Sequence, residues 1–392
     1  MKKTIRDYDL NNKKVIIRCD FNVPIKDGVI TDDNRIVQSL TTIKYALDNN
    51  AKLILMSHLG RIKEEADKTK NSLGLVAKRL SELLGKEVKF CPVTEGKELE
   101  DMVNSLNAGD VMLMENTRFQ DVPGKRESGN DPELGKYWAS LGELFINDAF
   151  GTAHRSHASN VGISSYLPSG LGFLVEKEVN ALSTLVNPEH SFVVVLGGSK
   201  VSDKIGVIKN LVTKADKILI GGGMAYTFLK AKGVNVGKSI VDEENIEFCK
   251  EMLSKYPDKL VLPIDNVVST EFSNDTPNRS VKVEEIMENE MGLDIGPLTI
   301  ELFTEVLDTA KVVFWNGPLG VYEFSKYTVG TKRVLEKLTT LNATTVLGGG
   351  DIVAAASTLG YKDKVTHAST GGGVTLEFME GKELPGVASI SE

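Results

Sequence analysis

Nine short apolar or β-branched runs punctuate the chain, at residues 15–19, 53–56, 111–114, 144–146, 192–196, 218–220, 260–262, 312–315 and 344–347. Each is too short for a helix and lacks polar alternation, so each predicts a strand buried on both faces. Between the runs, apolar positions recur every three or four residues: Ile36, Leu40, Ile43, Leu47, then Leu73, Val76, Leu80, Leu83, then Leu302, Val306, Ala310. That spacing predicts amphipathic helices, and strands alternating with helices predict parallel α/β sheets. One stripe stands apart near the midpoint. Val175, Val179, Leu182 and Val186 lie within GFLVEKEVNALSTLVNP, which Pro188 ends. It predicts a helix connecting two α/β domains; an ordinary crossover helix in one large sheet is the alternative that pattern alone leaves open.

With 392 residues, 41% hydrophobic, the chain is long enough for two or three domains and has the composition of an ordinary soluble globular protein. Collagenous and disordered readings are excluded. Lys and Arg number 46 against 54 Asp and Glu, a net charge of −8, which argues against a general nucleic-acid or acidic-membrane binder. Any anion site must be locally concentrated. Cys19, Cys91 and Cys249 are far apart and form neither a disulfide framework nor a CxxC motif, which fits a reducing cytosol. The N-terminus has no apolar stretch before a cleavage site, and residues 218–229 are too few to span a bilayer. A soluble, cytoplasmic protein is the expectation.

Ligands of open α/β sheets bind beyond the carboxyl ends of the strands, and there the two halves differ. In the first half the run ends read RCDFNVP (18–24), SHLGR (57–61), ENTRF (115–119) and NDAFGTAHRSH (147–157). They supply Asp20, Asn22, His58, Arg61, Arg118, His154 and Arg155, and Arg35 adds a cation at the start of the first helix. Several arginines at strand ends of an acidic protein point to a compact, multiply anionic ligand, because guanidinium binds phosphate or carboxylate in bidentate fashion. In the second half the ends are glycine-rich: LGGSKVSDK (196–204), IGGGMAY (220–226), WNGPLGVYE (315–323), LGGGDIVAA (347–355) and STGGGVTLE (369–377). Such turns let backbone N–H groups approach phosphates, so this half reads as a nucleotide cradle.

Familiar alternatives are missing. There is no P-loop, no G-x-G-x-x-G after a strand and no G-x-S-x-G elbow. His154 and His157 form an HxxH pair without a third ligand, which reads as anion contact or a structural hydrogen bond rather than zinc. The charge run RIKEEADKTKN (61–71), Arg61 apart, reads as a solvated loop. A cationic pocket in one domain and a Gly/Lys cradle in another suit phosphoryl transfer, which is mostly positioning, charge neutralisation and exclusion of water by closure.

At KVIIRCDFNVP (14–24) the chain resembles the phosphoglycerate kinase family. The resemblance extends over essentially all 392 residues through SHLGR, ENTRF, NDAFGTAHRSHASN, GFLVEKE, GGSKVSDKI, FWNGPLGVYE, GGGD and STGGG. It implies an α/β fold of two Rossmann-like three-layer α/β/α domains with parallel sheets joined by a central hinge helix. By this resemblance, residues 1–171 bind phosphoglycerate, 172–187 form the hinge and 188–379 bind nucleotide. The tail 380–392, containing LPGVASI, packs back on the first domain.

The implied reaction is 1,3-bisphosphoglycerate plus ADP giving 3-phosphoglycerate plus ATP, reversible, Mg2+-dependent, in a monomer without nucleic-acid or membrane partners. The resemblance assigns Asp20, Asn22 and His58 to the glycerate carboxylate and hydroxyl end, with Phe21, Leu59, Gly60 and His154 in the same pocket. It assigns Arg61, Arg118 and Arg155 to the 3-phosphate. Arg35 and Lys200 flank the transferred phosphoryl group, which meets the Gly371 and Gly372 turn. Lys204 contacts the α-phosphate, Asp351 holds Mg2+, Glu323 the ribose and Asn316 a phosphate, with Gly292, Gly349, Gly350 and Ile352 also on the nucleotide side. No general base is needed, because the acceptor is already a carboxylate or a phosphate.

Four positions, Ile62, Thr117, Ser199 and Ile352, depart from the common pattern. Ile352 replaces the usual hydroxyl near the phosphates, so Ile352→Ser is expected to tighten nucleotide binding or leave it unchanged. Two other classes remain at this stage: a non-catalytic two-domain binder of anionic metabolites, and a kinase for another small carboxylate.

Overall fold

In the computed structural model, which describes all 392 residues, all nine apolar runs lie in strands. In chain order the strands are β1 (Lys14–Arg18), β2 (Ile25–Lys26), β3 (Val29–Ile30), β4 (Lys52–Met56), β5 (Val88–Cys91), β6 (Val111–Met114), β7 (Leu144–Asn147) and β8 (Ser169–Leu171). They continue as β9 (Phe192–Leu196), β10 (Lys217–Ile220), β11 (Leu260–Val261), β12 (Asp265–Ser269), β13 (Asn278–Lys282), β14 (Met291–Ile295), β15 (Val312–Asn316), β16 (Thr344–Leu347) and β17 (His367–Ala368).

The chain divides into two units, residues 1–179 with 383–392, and residues 180–382. The first holds a parallel sheet of order β5-β6-β4-β1-β7-β8; the second a parallel sheet of order β11-β10-β9-β15-β16-β17. The latter, with its own six strands numbered in chain order, is the 3-2-1-4-5-6 order of dinucleotide-binding sheets. Both are buried on both faces, as the runs require: every residue of β9 and β15 is buried, as are Val15 to Arg18 of β1.

The periodic stretches fold as the helices Asn34–Asp48, Gly74–Leu84 and Pro297–Leu307. Ile43, Val76 and Leu80 pack with Val15, Ile17, Leu53 and Leu55 in the first core. Phe303, Leu307 and Ile300 pack with Val193, Val195 and Trp315 in the second.

Three readings are corrected. The second unit also contains an antiparallel sheet, β13-β12-β14, which parallel α/β alternation did not predict. Its strand β13 (NRSVK) buries only Val281, so no apolar run marks it. The charge run at 61–71 contains a helix, Glu65–Lys70, that buries no residue. It holds together through a capping box in which the Asp67 carboxylate accepts from the Glu64 backbone at 3.1 Å. The connecting helix is Phe173–Ser183, ending four residues before the expected 187, and leaves Val186 41% exposed.

That helix is preceded by Gly172, which offers no capping side chain. Its first N–H groups are satisfied from elsewhere in the first unit. Phe173 donates to Thr42 Oγ1 at 3.1 Å and Leu174 to Asp148 Oδ1 at 2.9 Å. The Thr42 hydroxyl and the Val175 amide also favour the charged form of Asp148. A side chain at 172 would collide with the Asp148 carboxylate.

The final ten residues complete the first unit. Asn147 Nδ2 donates to the Gly386 carbonyl at 2.9 Å, Gly386 N to Ala153 O at 2.8 Å, and Lys2 Nζ to Ala388 O at 2.7 Å.

Candidate functional site

In the first unit, the chain leaves β1 for β4 on one side, and β7 leads to β8 on the other. The carboxyl ends of β1 and β7 therefore open a crevice. Parallel strands bring the segments after β1, β4, β6 and β7 to the same edge, and hydrogen bonds tie them into one net. Arg35 Nη1 donates to Asp20 Oδ2 at 2.7 Å. Asp20 Oδ1 accepts from Asn22 N at 3.1 Å, Asn22 Oδ1 from Gly60 N at 2.9 Å, and Gly60 O from Arg118 Nη1 at 2.7 Å. Phe21 is buried, its amide on Ser57 Oγ at 2.9 Å. Leu59 is clamped by Asn116, whose Oδ1 accepts from its N–H at 3.2 Å and whose Nδ2 donates to its carbonyl at 2.7 Å. Arg155 Nε donates to His154 Nε2 at 3.2 Å, and Arg61 and Arg155 are exposed.

Sequence reasoning missed the groups beneath this edge. Arg18, the last residue of β1, is 1% exposed, and Glu127 is wholly buried. Glu127 Oε1 accepts from the Ser159 amide at 2.9 Å, and its charge favours the protonated forms of both Arg18 and Arg118. One charge inside an otherwise apolar run, VIIRC (15–19), was the available signal for Arg18; nothing in the sequence marks Glu127.

Four arginines, Arg18, Arg35, Arg118 and Arg155, stand at this edge against three facing carboxylates, Glu127, Asp20 and Asp121. Burial, then Arg18, Arg118, His157 and Arg35, hold His58 well below the usual histidine range. His157 is pushed down to about 3 by burial and by Arg18, Arg118 and Arg155. Burial and Arg18 also lower Arg118. Such a field favours an arriving anion.

In the second unit the strand order reverses between β9 and β15, which places the ligand crevice at their carboxyl ends. There the two loops touch: Gly197 N donates to Asn316 O at 2.8 Å, and a side chain at Gly197 would collide with the Gly317 and Pro318 carbonyls. A cavity of about 430 Å3 opens beside them, bounded by Gly198, Gly222, Gly223, Gly292 and Pro318. Ile240, Phe272, Leu293 and Leu319 add apolar walls, and Glu323 and Asp351 a polar rim. An apolar slot with a few polar groups at its mouth suits a flat heteroaromatic ring carrying a polar substituent.

Beside it, buried Lys204 donates to Asn316 Oδ1, and Asn316 Nδ2 donates to the Gly348 carbonyl. Burial lowers Lys204, while Asp203 and Asp351 oppose the shift. Gly349 has φ 109°, and a side chain there would collide with Asn316. Gly350 and Asp351 open the helix Gly350–Leu359.

Of the expected nucleotide-side residues, Gly292, Glu323 and Asp351 line the cavity, and Lys204, Asn316 and Gly349 form one cluster beside it. Lys200 is exposed on the loop after β9, and Gly371 and Gly372 precede the helix Gly373–Met379; these three do not line the cavity. Ile352 requires a correction. Its side chain is 0% exposed and belongs to the core with Trp315 and Leu347, so a hydroxyl there would be buried among hydrocarbon, and only the backbone of position 352, in the first turn of the helix, is left to face a ligand. Unexpected participants are Tyr226, Ile240, Phe272 and Leu319, which no glycine-centred pattern marks.

An arginine-rich strand edge in one unit and a glycine-walled, lysine-flanked cavity on a dinucleotide-type sheet in the other define an α/β phosphotransferase of small molecules. The model of the family described as phosphoglycerate kinase matches residues 5–382. The chain is 61% identical over 393 residues to a phosphoglycerate kinase of Listeria innocua, covering 100% of this chain and 99% of the relative. It is equally 61% identical, with the same coverage, to that of Enterococcus faecalis over 394 residues. The solved structure of phosphoglycerate kinase from Coxiella burnetii matches with a TM-score of 0.92 at 37% identity, over 99% of this chain and 98% of that one. The structure from Pyrococcus horikoshii matches at 0.84 and 31% identity with the same coverage. The chain belongs to the phosphoglycerate kinase family.

Proposed function

We propose that this protein catalyses the reversible transfer of a phosphoryl group between 1,3-bisphosphoglycerate and ADP, yielding 3-phosphoglycerate and ATP. The observation that carries this reading is the cluster of Arg18, Arg118 and Arg155 at the carboxyl ends of β1, β6 and β7 with Arg35 at the start of the first helix, where arginines outnumber the carboxylates that face them. It calls for a small ligand with several negative charges, and the family supplies its identity.

On this reading Arg61, Arg118 and Arg155 hold the 3-phosphate, with Asp20, Asn22 and His58 at the glycerate end and Phe21, Leu59, Gly60 and His154 shaping the pocket. The cavity takes the nucleoside, with Glu323 at the ribose and Lys204 and Asn316 at the phosphates. Arg35, Lys200 and the Gly371–Gly372 backbone stabilise charge on the transferred group. Removing one such contact typically costs about 10²–10³ in rate. Hinge bending about Phe173–Ser183 would bring the reacting groups to attack distance and keep water out.

Asp351 fits Mg2+: it is a hard, exposed carboxylate, and this ion is commonly held by one or two carboxylates plus substrate phosphates and water. When bound, Mg2+ supplies charge neutralisation on the nucleotide phosphates. No helix is long and apolar enough to cross a membrane, and the reading is of a cytoplasmic monomer.

The test is a coupled assay with 3-phosphoglycerate, ATP and Mg2+, beside Lys200→Ala and a metal-free control. Turnover lost in both supports the reading. Folded wild-type protein that binds 3-phosphoglycerate without turnover refutes it in favour of a sensor or a kinase of another acid. Arg35→Ala is expected to lower kcat far more than it raises KM, because its contact strengthens in the transition state; a rise in KM alone would reduce Arg35 to a binding residue.

A further inference from the structure

Each Arg18 nitrogen has one partner. Nε donates to Ser159 Oγ at 2.9 Å, Nη1 to the Cys19 carbonyl at 2.5 Å, and Nη2 lies 3.1 Å from His58 Nδ1. A guanidinium has donors only and keeps its proton in proteins. The Nη2–Nδ1 contact is a hydrogen bond only if Nδ1 accepts, and an accepting Nδ1 carries no proton. A neutral imidazole then has its single N–H at Nε2. An imidazolium would set two donors against each other at 3.1 Å. Nε2 is not among the buried atoms sealed without a partner, so it remains available at the edge that carries Asp20, Asn22 and Arg118.

We propose that Arg18 is a positioning residue that fixes His58 as a neutral Nε2–H donor to a carboxylate or hydroxyl oxygen of the ligand, with Ser159 and Glu127 holding Arg18 in place. The inference rests on the reading above that this edge receives a phosphorylated small carboxylate. The charged groups that face the ring and oppose its protonation are Arg18 from β1, Arg35 from the first helix and Arg118 from the segment after β6; His157, from the segment after β7, opposes it too but is itself held neutral, at about 3. Glu127 and Asp20 both act on Arg18, and Asp20 is paired with Arg35. His58 therefore contributes direction rather than charge, and the affinity it supports stays flat across the range where an ordinary histidine titrates.

Long-range 1H–15N NMR of the full chain labelled at histidine nitrogens, from about pH 8 to about pH 5.5, reads the tautomer directly. The wild type is expected to show the His58 proton on Nε2 with no second proton gained. Arg18→Met is expected to show both tautomers, because Nδ1 loses the donor that keeps it unprotonated, with the Kd for 3-phosphoglycerate by calorimetry raised about tenfold or more, equivalent to about 1.4 kcal/mol. Ser159→Ala, a milder change, is expected to shift the tautomer ratio in the same direction, and it carries the comparison if Arg18→Met does not fold. A wild-type proton on Nδ1, a wild-type titration within the range, or an unchanged ratio in both variants overturns the proposal. The expected tautomer in a folded wild type that does not bind 3-phosphoglycerate refutes the ligand reading instead and leaves the Arg18–His58 relation standing.

Discussion

Ile352 and Gly292 illustrate what single positions do. Ile352 is part of the second core, so Ile352→Ser removes buried hydrocarbon and adds a hydroxyl with no polar partner. The expected cost is about 3 kcal/mol or more, measured as a lowered urea midpoint with unchanged slope, while nucleotide affinity of the folded protein is unaltered. Of the two outcomes expected from the motif, tighter or unchanged binding, burial of the side chain leaves the second, because a motif gives neighbours in sequence but not which way a helix turns them. Gly292 is a wall of the cavity, and a side chain there would collide with the ring of Tyr226. Gly292→Ala is expected to weaken nucleotide binding about tenfold, about 1.4 kcal/mol, leaving the 3-phosphoglycerate Kd unchanged in parallel titrations. Legibility at this scale followed exposure to the strand ends. Asp20, His58, Arg118 and Asp351 announce themselves by position after an apolar run. Glu127 and Ser159 are equally part of the edge but come from a turn and from the short helical segment Ala158–Gly162, whose approach depends on tertiary packing.

Among the elements, the connecting helix shows a carboxylate in an unusual state. Asp148 is buried at its N-terminus, and burial, against the hydrogen bonds of Thr42, Leu174 and Val175, raises it to about 7. Cys19, itself pushed up by burial, is the titratable group that feels its charge. A carboxyl raised in the native state binds its proton more tightly than in the unfolded chain, where its pKa is about 3.9. Its contribution to stability is thus full below about pH 4 and is lost as pH rises to about 7, at up to about 1.4 kcal/mol per unit. Subtracting the stability–pH curve of Asp148→Asn from that of the wild type is expected to isolate this fall; parallel curves would contradict it. The strongly apolar elements were legible because burial on both faces leaves a continuous run. The strands β5, β13 and β17 were not, since VKFC, NRSVK and HA carry no such run and form only where a neighbouring strand offers hydrogen bonds.

For the whole molecule, the first unit is assembled from both ends of the chain, through the bonds of Asn147 and Ala153 to Gly386 and of Lys2 to Ala388 and Ile390. Ending the chain at residue 382 is expected to lower the melting of the first unit by several degrees, as a loss of about 1–2 kcal/mol would, while the second unit melts as before. Differential scanning calorimetry with nucleotide added, which stabilises only the unit that binds it, assigns the two transitions. Equal shifts in both would refute the assignment of the tail to one unit. Two units were legible from strand–helix alternation on either side of a midpoint helix, and the returning tail through the family resemblance; nothing in the tail's own composition points to the partner it joins.

The discontinuity of the first unit also sets an order of events on the ribosome. Residues 1–179 emerge early, but the segment that closes their surface around Ala153 and Asn147 is made only after the whole of the second unit. At about 5–20 residues per second, the roughly two hundred intervening residues impose a wait on the order of 10–40 s. During that time the nascent first unit has an open seam where Gly386 will dock, so a chaperone that recognises unpaired backbone has a defined and transient target there.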